Sequence, residues 1–167
     1  MCISDFAFMN AVPTVPALRK ILVVDDNPII QRAVYFALRD KGFLVLMCGT
    51  IADGLHIIRQ QKPDLILLDL NFPAAEDFAS AAWDGFAAIE WLQRAGESQA
   101  IPIIVISGSD SEISQPRALA AGATAYFQKP IDKAKLLAGI RVVLDKNAAR
   151  PTATLPFRPA GGGLAMT

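Results

Sequence analysis

The sequence predicts a doubly wound α/β domain, with five strands alternating with five helices about one parallel sheet. Three observations carry that prediction. Leu65-Ile66-Leu67-Leu68 is an unbroken apolar run between Pro63 and Pro73, the pattern of a strand buried on both faces. Comparable short runs alternate with stretches of helical period, and the connections are short. Polar residues collect where the apolar runs stop, and in open parallel sheets ligands gather beyond the carboxyl ends of strands.

Taken in order, residues 1–17 read as a leader with little periodicity, partly mobile. Lys20 to Val24 is a β-branched run that ends on Asp25-Asp26. Asn27-Pro28 then supplies a helix cap with proline at the first helical position. Ile29, Ile30, Ala33, Val34, Ala37 and Leu38 recur at helical spacing, and Gly42 closes the helix. Phe43 to Cys48 is a second strand. Thr50 caps a second helix with Ile51, Ala52, Leu55 and Ile58 inward, stopped by Lys62-Pro63. The strand over 64–69 follows, then an irregular segment from Leu70 to Trp83.

A third helix is predicted over roughly 84–95, with Phe86, Ile89 and Leu92 on one side and Gly96 at its end. Ile101 to Ile106 is a fourth strand running into Ser107-Gly108-Ser109-Asp110. A fourth helix covers about 112–121, its start weakened by Pro116, and Gly122 terminates it. Thr124 to Gln128 is a fifth strand ending at Lys129-Pro130. The last helix, about 132–146, carries Leu136, Leu137, Ile140, Val143 and Leu144. The proline- and glycine-rich remainder, 148–167, reads as a flexible tail. The domain proper is therefore placed at 18–147.

Composition narrows the function. Hydrophobic residues make up 53%, enough for a core, and Lys+Arg equals Asp+Glu at 16 each. A balanced chain lacks the clustered cations that displace counterions from nucleic acid, so direct nucleic-acid binding is disfavoured. Cys2 and Cys48 form neither a disulfide framework nor a metal cluster, and Cys48 reads as a small buried hydrophobe. The leader has no basic signal-peptide region, and no apolar stretch approaches the roughly 20 residues of a membrane span. No membrane association and a cytoplasmic location follow as expectations.

Asp25 and Asp26 follow the first strand, Asp69 ends the third, Ser107 follows the fourth and Lys129 the fifth. If the strand order is 2-1-3-4-5, the first and third strands flank the switch point and three carboxylates share one crevice. Two unit charges at about 4 Å repel by roughly 4 kcal/mol at an effective dielectric of about 20. Such a cluster holds protons or a cation. Open oxygen ligands suit Mg²⁺, and an acidic nucleophile, a metal, a lysine and a hydroxyl are the parts that phosphoryl transfer uses.

From about residue 19 to 146 the chain resembles the receiver domain of bacterial two-component response regulators. The matching segments are Ile21-Leu22-Val23-Val24-Asp25-Asp26-Asn27, Asp64 to Asp69, Ile104-Val105-Ile106-Ser107-Gly108, and Gly122 to Pro130. The resemblance implies a flavodoxin-like sheet of order 2-1-3-4-5. It implies that Asp69 accepts a phosphoryl group from a phosphohistidine donor, a sensor histidine kinase or phosphotransfer protein. Asp26 and Asp69 match side-chain ligands of Mg²⁺, Asn71 the backbone-carbonyl ligand, and Asp25 the acid that holds metal-bound water. Ser107 matches the hydroxyl that turns inward on the phosphoryl group, Tyr126 the aromatic that follows it, and Lys129 the cation on the phosphoryl oxygens. Lys129-Pro130 matches a cis peptide. Small Gly108 matches a position that leaves the phosphoryl group open to water. The face formed by the fourth helix, fifth strand and fifth helix would bind a downstream protein.

One departure stands out. Gly85 lies 16 residues after Asp69 (85 − 69), where the family has about eight, so an insertion of about eight residues is placed at 74–83. Glu76, Asp77 or Asp84 is expected near the pocket mouth. The turn Ala121 to Thr124 lacks the paired acids of regulators that dimerise through this face, and His56 reads as a surface histidine. The leading expectation is a stand-alone receiver, a binding switch and not an enzyme in the usual sense. The alternatives are a receiver cut from a larger hybrid kinase or regulator, and a haloacid-dehalogenase-type phosphatase. The phosphatase needs an acid two residues after its nucleophile, where this chain has Asn71.

Overall fold

The computed structural model describes residues 18–71, 85–94 and 101–148. The leader over 1–17, the insertion over 74–83 with Glu76 and Asp77, Asp84, Gly96 and the tail beyond 148 lie outside the described residues. The strands are β1 (Lys20–Val24), β2 (Leu44–Cys48), β3 (Leu65–Asp69), β4 (Ile103–Ser107) and β5 (Ala125–Gln128). Between and after them run α1 (Pro28–Arg39), α2 (Ile51–Gln61), α3 (Gly85–Arg94), α4 (Ser111–Ala120) and α5 (Lys133–Ala148). All pairings are parallel, in the order β2-β1-β3-β4-β5. The predicted topology is the observed one.

The continuous apolar runs follow from burial on both sheet faces. Successive side chains alternate between faces, so Leu22, Val24, Ile66, Leu68, Ile103 and Val105 pack with Ile58 of α2, Ile89 and Leu92 of α3, and Ala118 of α4. Their neighbours Ile21, Val23, Leu65, Leu67, Ile104 and Ile106 pack with Val34 and Leu38 of α1 and Leu136 and Ile140 of α5. Three helices therefore cover one face and two the other.

Helix ends follow local chemistry. Asn27 Oδ1 accepts from the Ile29 and Ile30 amides at 2.9 and 3.4 Å, satisfying donors at the start of α1. Thr50 Oγ1 does the same for Asp53 N–H at 3.1 Å. Lys62 closes α2 with φ +47°, and Gly42 and Gly122 take positive φ after α1 and α4.

Four expectations need correction. Ala52, placed inward on α2, is exposed: the buried stripe of that helix runs through Gly54 and Ile58, at i and i+4, and Ala52 lies two residue steps of rotation away from it. Ile29, counted in the apolar period of the first helix, is 76% exposed. The inward stripe of α1 is Ile30, Val34 and Leu38, at i, i+4 and i+8, and Ile29 lies one residue step of rotation away from it. Pro116 stands inside an unbroken α4 and does not weaken its start, which Asp110 caps by accepting from Glu112 N–H at 2.9 Å. The amide that Pro116 lacks would face the carbonyl of Glu112 one turn earlier, and Glu112 is an exposed residue, open to solvent. β4 begins at Ile103, and the preceding Pro102, which has no N–H, contributes only a carbonyl, to Ile66 N–H at 3.0 Å.

Cys48 is buried, as expected, at the end of β2. Burial first, and the Asp53 charge next, push its thiol from 9.0 up to about 12, offset only in part by a backbone hydrogen bond from Thr50. In a Cys2→Ser chain at about pH 8, a thiol reagent should label Cys48 only as fast as the domain opens. Labelling in native buffer at the rate of the urea-unfolded chain would contradict this. The neutral thiol also favours the fold below pH 9.0, a contribution lost as pH climbs towards 12.

Candidate functional site

Strand register brings the polar residues to one edge. Val24 pairs with Leu68, Asp69 with Ile106, and Ser107 with Gln128, so the residues ending or following β1, β3, β4 and β5 are neighbours. Lys129 N–H extends the last pairing to Ser107 O at 2.8 Å. From there Lys129 Nζ donates to Asp25 Oδ2 at 2.9 Å and to Asp69 Oδ2 at 2.8 Å. Asp25 and Asp69 are only 3% and 4% exposed, while Asp26 faces solvent. One carboxylate oxygen from each of the three lies within 4.8 Å of the others.

The second oxygen of each buried acid is also engaged. Asp25 Oδ1 accepts from Asn27 N–H at 2.9 Å, and Asp69 Oδ1 from Asn71 N–H at 3.2 Å. Three carboxylates face one ammonium, so the crevice keeps a negative excess. Burial by itself would lower the Lys129 pKa, but the hydrogen bonds to Asp69 and Asp25 and their charges outweigh it, and the net shift is upward. Lys129 is therefore firmly cationic. An all-oxygen donor set with one exposed member fits a hard divalent cation that keeps several waters.

Ser107 and Tyr126 belong to an adjoining network. Ser107 is fully buried and its Oγ accepts from Ser109 N–H at 3.1 Å. Ser109 Oγ donates to Asn71 Oδ1 at 2.9 Å, and Tyr126 O–H donates to Ser109 O at 3.2 Å. Among the described hydrogen bonds neither Ser107 nor Tyr126 reaches a carboxylate. Ser109 thus joins the β3, β4 and β5 ends through its amide, hydroxyl and carbonyl. In the sequence its one signal is a second hydroxyl two residues after Ser107, the spacing of a serine turn. Gly108 is exposed, and a Cβ there would meet only Asn71 Nδ2, at 3.6 Å. The Lys129-Pro130 peptide is cis. His56 is exposed on α2.

A doubly wound sheet of this order, with carboxylates, a lysine and a hydroxyl at its carboxyl edge, defines a flavodoxin-like domain with an acidic pocket. Residues 21–141 match the response regulator receiver domain family, and the chain belongs to that family. It is 33% identical over 127 residues to Protein PilH of Pseudomonas aeruginosa, covering 76% of this chain and 98% of PilH. It is also 33% identical over 132 residues to the KDP operon transcriptional regulatory protein KdpE of Escherichia coli, covering 79% of this chain but only 54% of KdpE. A CheY-like receiver from Methanospirillum hungatei superposes with a TM-score of 0.68 at 27% identity, over 79% of this chain and 98% of that one. The likeness thus spans almost all of the single-receiver relatives and about half of the longer transcriptional regulator. Among the described residues no helix is long and apolar enough to cross a membrane.

Proposed function

We propose that the receiver unit, residues 18–147, accepts a phosphoryl group on Asp69 from a histidine kinase or phosphotransfer protein and thereby switches binding of a downstream protein. The observation that carries this is the double hydrogen bond from Lys129 to Asp25 and Asp69 inside the three-acid cluster. An Asp69 oxygen attacks phosphorus, the bond to the donor's imidazole nitrogen breaks, and an acyl phosphate forms. Lys129 then has phosphoryl oxygens within reach in place of the Asp69 oxygen it holds at rest. Asp25, Asp26 and Asp69, with the Asn71 carbonyl, are the residues that would hold Mg²⁺, which when bound supplies charge neutralisation for the transferred group.

Ser107 would leave Ser109 N–H to donate to the new oxygens, with Tyr126 following, and the change would spread through α4, β5 and α5. Such a chain is a phosphoacceptor switch, not a turnover enzyme. It acts in the cytoplasm and without contacting nucleic acid or membrane itself. Asn71, whose side-chain oxygen is taken by Ser109, has no acidic proton for phosphatase chemistry.

With acetyl phosphate and MgCl₂, intact-mass spectrometry should show one added phosphoryl group on the wild-type chain, lost with chelator. Asp69→Asn keeps the side-chain shape and should abolish the addition. Stoichiometric labelling of the Asp69→Asn chain at another residue would overturn the assignment.

A further inference from the structure

Gln31 sits one turn into α1, and its side-chain amide donates to two backbone carbonyls that the helix itself does not contain, those of Asp25 and Cys48. The bond to Cys48 O is 3.1 Å. Asp25 N–H also donates to Cys48 O, at 3.2 Å, so the amide closes a small ring where β1 and β2 stop pairing. A buried carbonyl at such a strand end needs a donor, and Asp25 is almost fully buried.

The carbonyl bound by Gln31 belongs to the peptide that joins Asp25 to Asp26. The Asp25 carboxylate has its own anchors, Lys129 and the Asn27 amide. Asp26 is the exposed member of the cluster, and its direction depends on how that peptide is turned. We propose that Gln31 is a positioning residue: by fixing the Asp25-Asp26 peptide it keeps the Asp26 carboxylate within cation-sharing distance of Asp25 and Asp69. The inference rests on the reading of the cluster as a Mg²⁺ site, and it extends that site to a helix side chain whose described hydrogen bonds go to backbone carbonyls.

The test is calorimetric titration of the full chain with MgCl₂. Groups that orient metal ligands typically contribute tenfold or more to affinity. Gln31→Leu, which removes both donors, should weaken binding about tenfold. Gln31→Lys, which retains a donor, should restore most of it. Gln31→Met, close in length and uncharged but without a donor, should bind as weakly as Gln31→Leu and serves in its place if the leucine chain does not fold. A cycle with Asp26→Asn separates positioning from general loosening. If Gln31 acts through Asp26, the double variant should lose little more affinity than Asp26→Asn alone. Wild-type Mg²⁺ affinity in Gln31→Met, or full additivity with Asp26→Asn, would overturn the proposal. Failure of the wild-type chain to bind Mg²⁺ would instead overturn the reading of the site.

Discussion

Replacing Lys129 with methionine should destabilise the metal-free chain by about 2–3 kcal/mol, in urea unfolding. The variant leaves Asp25 and Asp69, whose side chains are 5% and 4% exposed, without the cation they share. Removing one partner of a buried pair costs about 3–5 kcal/mol, and the lower figure here allows for Lys129 being 18% exposed. Mg²⁺ should act in the opposite sense. Lys129 occupies one oxygen of each buried acid, so its loss frees ligands, and MgCl₂ should stabilise the variant more than the wild type. Phosphorylation by acetyl phosphate should nevertheless fall, because the ammonium that holds Asp69 is no longer there for the transferred oxygens. The Lys129 pKa is raised, so the stability gap should hold through neutral pH, where the ammonium is fully charged in folded and unfolded chains alike. It should close only as pH rises past 10.5 and through the higher folded value. An unchanged urea midpoint with and without MgCl₂ would show that the ammonium does not balance this cluster.

The sheet and the acids were legible because each rests on local pattern. A run such as Leu65 to Leu68 has one economical explanation, burial on both faces, and it fixes Asp69 at the carboxyl edge. Asp25, Ser107 and Lys129 follow similar runs, so the strand order alone brings them together. What stayed hidden depends on tertiary juxtaposition. Gln31 and Cys48 are 17 residues apart, and nothing in helical period says that an amide on α1 will meet the carbonyl ends of two strands. Ser109 carries only the local pattern of a turn in the sequence, since its hydroxyl partner Asn71 lies 38 residues away. Ile29 failed for a related reason. Period identifies a helix, but near a helix end the stripe can be drawn through either of two adjacent apolar residues, and only the sheet beneath decides.

Gly85→Ala should be the most damaging single-methyl change near the site. A Cβ at Gly85 would lie 2.6 Å from Leu70 Cα and 2.9 Å from Leu70 O. Those are backbone atoms of a buried residue fixed between Asp69 and Asn71, so no side-chain rotation relieves the clash. Either α3 moves off the sheet or the peptide after Asp69 shifts, and overpacking of this kind costs about 1–3 kcal/mol. Gly42→Ala is the matched control, since Gly42 has φ +84° and nothing within 4 Å of its would-be Cβ. It should cost about 1 kcal/mol, from backbone conformation alone, and leave Mg²⁺ affinity unchanged. Gly85→Ala should cost more and also weaken Mg²⁺ binding, because Asn71, expected to lend its carbonyl, is tied to Asp69 through its own N–H. The sixteen-residue separation from Asp69 (85 − 69) does not loosen this constraint, because the chain returns to close contact with Leu70 wherever it has travelled between. Equal losses in the two alanine variants, by urea unfolding and Mg²⁺ titration, would mean that α3 yields freely and that Gly85 does not hold the strand end in place.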